Sequence, residues 1–175
     1  MLWLKIVSKF IKAFRSGESP GQIAAGFAVG SMIGLMPFWT IQGVFLFILL
    51  ILLKINLAAG TVAILLGSLF AYLLDPLFHH IGFFMLVKIP ALQSLWESLY
   101  NSVFGQLSRF NNTVAMGSFV CGIILFLPIF FAMKSFVIVY REKLESRVQK
   151  MKIVQAIKGS KLFKLYERIR DLGGE

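Results

Sequence analysis

Apolar residues fall along this chain in blocks of unequal length, and the lengths say as much as the spacing does. Over residues 2–14, Trp3, Ile6, Val7, Phe10 and Phe14 recur three and four apart, with Lys5, Ser8, Lys9 and Lys12 between them. That pattern predicts a basic amphipathic helix over 1–16, lying in a headgroup plane with rings inward and Lys5, Lys9 and Lys12 toward phosphate. Packing of the same helix on the rest of the protein is the alternative. Gly17, Ser19 and Pro20 end it. The uncharged run that follows, Ser19 to Leu53, is too long for one simple span, because the stretch 21–53 would reach ~50 Å as a helix against a hydrocarbon core of ~30 Å. Pro37 divides it, with Phe38, Trp39 and Thr40 after the break. The two arms, 23–36 and 41–53, would each reach about 20 Å. A re-entrant hairpin is the preferred reading, its non-helical turn sheltered by protein; two complete tilted spans are the competitor.

Beyond Lys54 and Asn56, residues 57–74 read as a span that Asp75-Pro76 stops, and 77–88 as a short helix of half a span. Residues 91–110 turn amphipathic, with Leu92, Leu95, Trp96, Leu99, Val103, Leu107 and Phe110 on one side. They read as an interfacial helix or the wall of a polar cavity. A second span is expected over 113–133, and 139–175 forms a basic cytoplasmic helical tail. Small residues mark packing faces: Gly26, Gly30 and Gly34 in the first arm, and Ala59, Ala63, Gly67 and Ala71 in the span, each four apart. Short matches between Gly30-Ser31…Pro37 and Gly67-Ser68…Pro76 hint at a repeat, as in inverted-repeat transporters. The fold class is therefore all-α: a small polytopic membrane protein with broken or re-entrant helices and amphipathic interfacial ones.

Composition supports this. Of the 175 residues, 58% are hydrophobic and 15% charged, where a soluble globular chain carries about 25% charged residues. The charge is segregated: residues 1–15 carry +4, residues 16–133 none net, and residues 134–175 +6. Basic ends beside membrane segments mark the cytoplasmic side and attract anionic lipids, with Arg141 and Lys150 as further headgroup contacts. Both termini are expected in the cytoplasm of a bacterial inner-membrane, multi-pass protein, and nucleic acid is not expected as a partner. Cys121, the only cysteine, reads as a small core residue, and Asn111-Asn112-Thr113 as a chance glycosylation triplet beside the membrane.

Candidate chemistry is sparse. Asp75 lies between two apolar runs; it is either a polar-cavity group for a cation, a proton or a headgroup, or a helix-end residue. His79, four residues on, would pair with it if the helix persisted across Pro76. Thr40 and Gln42 would cap amides at the hairpin tip or touch a polar substrate, with Phe38 and Trp39 anchoring the turn. No metal is expected from His79-His80, since adjacent side chains diverge and a third ligand is missing. No catalytic constellation emerges, so neither an enzyme nor a cofactor is expected.

The stretch Pro20–Pro76 resembles a bacterial DUF2062-type membrane-protein family. The matching landmarks are Gly26-x-x-x-Gly30-x-x-x-Gly34, then Leu35-Met36-Pro37-Phe38, Gln42 and Leu53-Lys54-Ile55-Asn56-Leu57-Ala58-Ala59. Asp75 departs from the Asn often found before the last Pro in that family. The resemblance implies an inner-membrane protein and supplies no activity. The residues themselves suggest a small transport or accessory subunit that handles or contacts lipid or another amphipathic envelope molecule. Two spans enclose little by themselves, so a homo-oligomer or a larger membrane-protein partner is expected. An autonomous ion- or proton-coupled transporter using Asp75 and a scaffold recruiting a partner through its tail are the alternatives.

Overall fold

The computed structural model describes residues 17–144. The expected headgroup contacts at Lys5, Lys9, Lys12 and Lys150 lie outside the described residues, as do the first amphipathic helix and the tail beyond 144. The described helices are α1 (Pro20–Leu35), α2 (Ile41–Leu52), α3 (Leu57–Phe83), α4 (Gln93–Tyr100), α5 (Val103–Ser108) and α6 (Thr113–Val139). Single wide turns prolong α3 over Phe84–Lys88 and α6 over Tyr140–Leu144.

Each long helix begins on a specific cap. Ser19 Oγ accepts from Gln22 N at 3.2 Å and Gln22 Oε1 accepts from Ser19 N at 2.8 Å, with Pro20 in the first turn, where its missing N–H costs nothing. Asn56 Oδ1 caps α3 through Ala59 N at 2.6 Å, and Asn112 Oδ1 caps α6 through Ala115 N at 3.0 Å. α1 stops at Leu35 because Pro37 holds the preceding Met36 in an extended conformation (φ −108°, ψ 159°).

α2 then runs back beside α1. Its exit is tied to the start of α1 by Gln22 Nε2 donating to Lys54 O (3.1 Å) and Asn56 N donating to Gln22 O (3.1 Å). α3 leaves from the same place, parallel to α1. Gly26 meets the Asn56 backbone, Gly30 that of Gly60, and Gly34 that of Ile64 and Gly67, so a Cβ at Gly26 or Gly30 would strike a carbonyl oxygen. α6 descends antiparallel, with Gly82 on Thr113 and Gly117 on Phe78 near its start. Ile23 and Ala59 meet Val137 and Tyr140 at its end. α1 is thereby wedged between α3 and α6, and eleven of its residues are buried. Lipid tails give no hydrophobic drive for helix pairing, so this fit of backbone against backbone is what holds the three together.

Three expectations are corrected. Pro76 does not stop a helix: α3 passes through it to Phe83, so 57–74 and 77–88 are one apolar element of 32 residues, Leu57–Lys88. A proline ring inside a helix removes one hydrogen bond and crowds the carbonyl four residues back. Here the far half of α3 is clamped on α6, with the Phe78 carbonyl lying where Gly117 has no side chain. The second long helix also outruns its expected end at 133 and reaches Val139 despite Pro128. Residues 91–110 are not one helix; the chain breaks at Asn101–Ser102, where Ser102 Oγ caps α5 through Gly105 N (3.0 Å). The outcome is an all-α fold with two apolar helices long enough to cross a membrane, Leu57–Lys88 and Thr113–Glu142.

Candidate functional site at the hairpin tip

The turn between α1 and α2 sits partway along the two long helices. Leu35 packs with Phe78 of α3 and Cys121 of α6, and α3 with its wide turn continues ten residues beyond Phe78 to Lys88, about 15 Å of helix. Thr40 is 1% exposed; its hydroxyl donates to Pro37 O (3.0 Å) and accepts from Gly43 N (3.2 Å), closing the turn and capping α2. Gly43 is needed there, since a Cβ would press on the Phe38 carbonyl at 2.5 Å. Phe38 packs edge-on to Trp39 (5.2 Å) and Phe47 (5.6 Å), while Trp39 is 75% exposed.

Gln42 reaches furthest. Its Nε2 donates to Ser108 O at 2.9 Å, so the far-side helix α5 is fastened over the tip. Its Oε1 is buried with no hydrogen-bond partner among the described residues, an arrangement that costs free energy unless a donor arrives. From this turn α2 presents Val44, Phe45, Ile48, Ile51 and Leu52 outward, all exposed. The sequence placed Gln42 at the tip; Ser108 joins it only through the fold.

Asp75 and His79 do not pair. His79 Nδ1 shares a hydrogen bond with Thr113 Oγ1 (2.7 Å), stitching α3 to the start of α6, and His80 Nδ1 bonds to the Pro76 carbonyl (2.6 Å). The helix persists through Pro76, yet His79 turns to Thr113 on α6 rather than back to the carboxylate. Asp75 is partly buried and makes no hydrogen bond or ion pair with a described residue. Among the described residues no three His, Cys, Asp or Glu side chains gather as a metal site. Ala59, Ala63 and Gly67 are buried and Ala71 partly so. At the opposite end Arg141, expected at headgroups, sends Nη2 to the Glu18 carbonyl (2.9 Å) and ties the end of α6 to the entry of α1.

A protein of Treponema pallidum (strain Nichols), described as uncharacterized, is 22% identical over 161 residues, covering 92% of this chain and 99% of its own. No solved structure matches. Residues 5–145 match a family described as "Uncharacterized protein conserved in bacteria (DUF2062)". That match takes in the hairpin, both long helices and the α4–α5 connection, and the chain belongs to the DUF2062 family.

Proposed function

We propose that this chain is a small inner-membrane transport or accessory subunit that handles lipid or another amphipathic envelope molecule, working within an oligomer or a larger complex. Both termini face the cytoplasm, as the basic ends direct, and α1–α2 enters from that side as a re-entrant hairpin. The observation that carries the reading is the tip itself. The Gln42 Oε1 acceptor is buried and unmet beside the exposed apolar flank of α2. A molecule with a donor on its polar end and a hydrocarbon body would satisfy the first and cover the second. No catalysis is part of this proposal.

Extraction in native-lipid discs, with mass measurement of what accompanies the protein, tests it. A specific amphiphile should accompany the wild type and be reduced at least fivefold in Gln42→Leu. Recovery of a lone chain with bulk lipid composition, unchanged by that substitution, refutes it. A second reading is favoured by one observation: Asp75 is partly buried inside a long apolar helix without a described partner, as an ion- or proton-coupled transporter requires. Flux in vesicles abolished by Asp75→Asn and indifferent to Gln42→Leu would select that reading instead.

A further inference from the structure

The structure holds a second feature that the hairpin does not use. A cleft of about 340 Å³ opens beside the far end of α3, lined by the apolar Leu86, Trp96 and Phe110 and by Glu97, Tyr100, Asn101 and Asn111. Its walls are fixed. The Trp96 indole N–H donates to Met85 O at 3.2 Å, and its ring stacks on Phe110 with centroids 5.8 Å apart and planes at 28°. Phe110 is brought back to meet it by Arg109, whose left-handed backbone (φ 51°) reverses the chain after α5.

Among the described residues, Glu97 is the one charged residue in the lining. Glu97 is the only acidic residue between Pro76 and Arg141, and its exposed carboxylate makes no hydrogen bond or ion pair with a described residue. The indole and phenol beside it attract cations through their ring faces. Both preferences point to an ammonium group. Asn101 already donates from Nδ2 to the Glu97 carbonyl (3.0 Å), yet a carboxamide has a second N–H, and with Asn111 it offers donors for phosphate oxygens. Residues close in sequence to the lining ones supply the remaining character: Phe84, Val87, Leu95, Val103 and Phe104 are all exposed. A ligand that covers them carries hydrocarbon chains.

We propose that this cleft is a headgroup site for a zwitterionic amine-bearing phospholipid, its ammonium held by Glu97 and the Trp96 and Tyr100 rings, its phosphate by Asn101 and Asn111, and its acyl chains along the exposed apolar residues. The inference rests on membrane insertion of the long helices and draws on none of the ligand contacts proposed at the hairpin tip.

The test uses the full chain in lipid discs of phosphatidylethanolamine and phosphatidylglycerol mixed equally, with retained lipid counted by native mass spectrometry. Wild type should retain phosphatidylethanolamine at least fivefold over phosphatidylglycerol. Glu97→Gln and Tyr100→Leu, both at exposed positions, should each bring that ratio near one, and Glu97→Lys should invert it. Equal retention of the two lipids by wild type, or an unchanged ratio in Glu97→Gln, overturns the proposal. Displacement of the bound lipid by equimolar free glycerophosphoethanolamine would also overturn it, by showing that the acyl chains contribute nothing. Insertion is scored separately by flotation of the same preparation, and the hairpin is tested by what native-lipid extraction recovers, so failure here is distinct from failure at the hairpin.

Discussion

Two glycines that look alike in the sequence should respond oppositely to the same substitution. A Cβ at position 30 would lie 2.8 Å from both C and Cα of Gly60, with the carbonyl oxygen closer still. All three are backbone atoms with no rotamer to change. Restoring ordinary contact requires α1 and α3 to part by roughly 1 Å, a gap that forfeits a quarter to a half of each dispersion contact across it. Overpacking of this kind costs about 1–3 kcal/mol, set against about 1 kcal/mol gained from replacing a helical glycine by alanine. Gly30→Ala should therefore destabilise by up to about 2 kcal/mol. A Cβ at position 122 would instead meet only the Met32 side chain at 3.5–3.8 Å, an ordinary contact with a flexible group. Gly122→Ala should keep most of the helix gain, up to about 1 kcal/mol of stabilisation. The assay is reversible unfolding of the purified protein in mixed dodecyl sulfate and maltoside micelles, followed by circular dichroism. Equal stability of the two variants would refute the idea that backbone contact between α1 and α3 holds the bundle.

Two further outcomes follow from the polar contacts. Asn56→Ala removes the α3 cap at a buried position and should cost about 1–2 kcal/mol in the same assay, while Asn112→Ala, at an exposed cap, should cost about half as much. Thr113→Val breaks the bond to His79; amide exchange should rise over 79–88 and 109–116 while staying unchanged over α1, and uniform loosening would place the bond elsewhere in the energetics.

Much of the architecture was legible because charge and proline punctuate it: Lys54, Lys88 and Arg109 bound the apolar blocks and Pro37 marks the turn of the hairpin. Asp75-Pro76 misled for a definable reason. A local rule about proline competes with packing of the surrounding helix, and the decisive contact, Phe78 on Gly117, joins residues 39 positions apart. Other signals were present and unread. Ser19-Pro20-Gly21-Gln22 has the spacing of a reciprocal cap, and Asn56 and Asn112 each stand immediately before an apolar run, where a side-chain acceptor starts a helix. The Gln42–Ser108 bond and the Trp96–Phe110 stack had no such signal, since both depend on how the chain turns at Asn101 and Arg109.

The central place of α1 has a consequence for how the protein is made. One of its two walls is α3, which follows within a few dozen residues, but the other is α6, whose last turn leaves the ribosome more than a hundred residues after α1 does. Throughout that interval the nascent hairpin stands half-sheltered, leaning on α3 alone. A chain cut short before residue 113 would keep its first long helix, lose the second wall, and present to membrane quality control a segment that no later synthesis can cover.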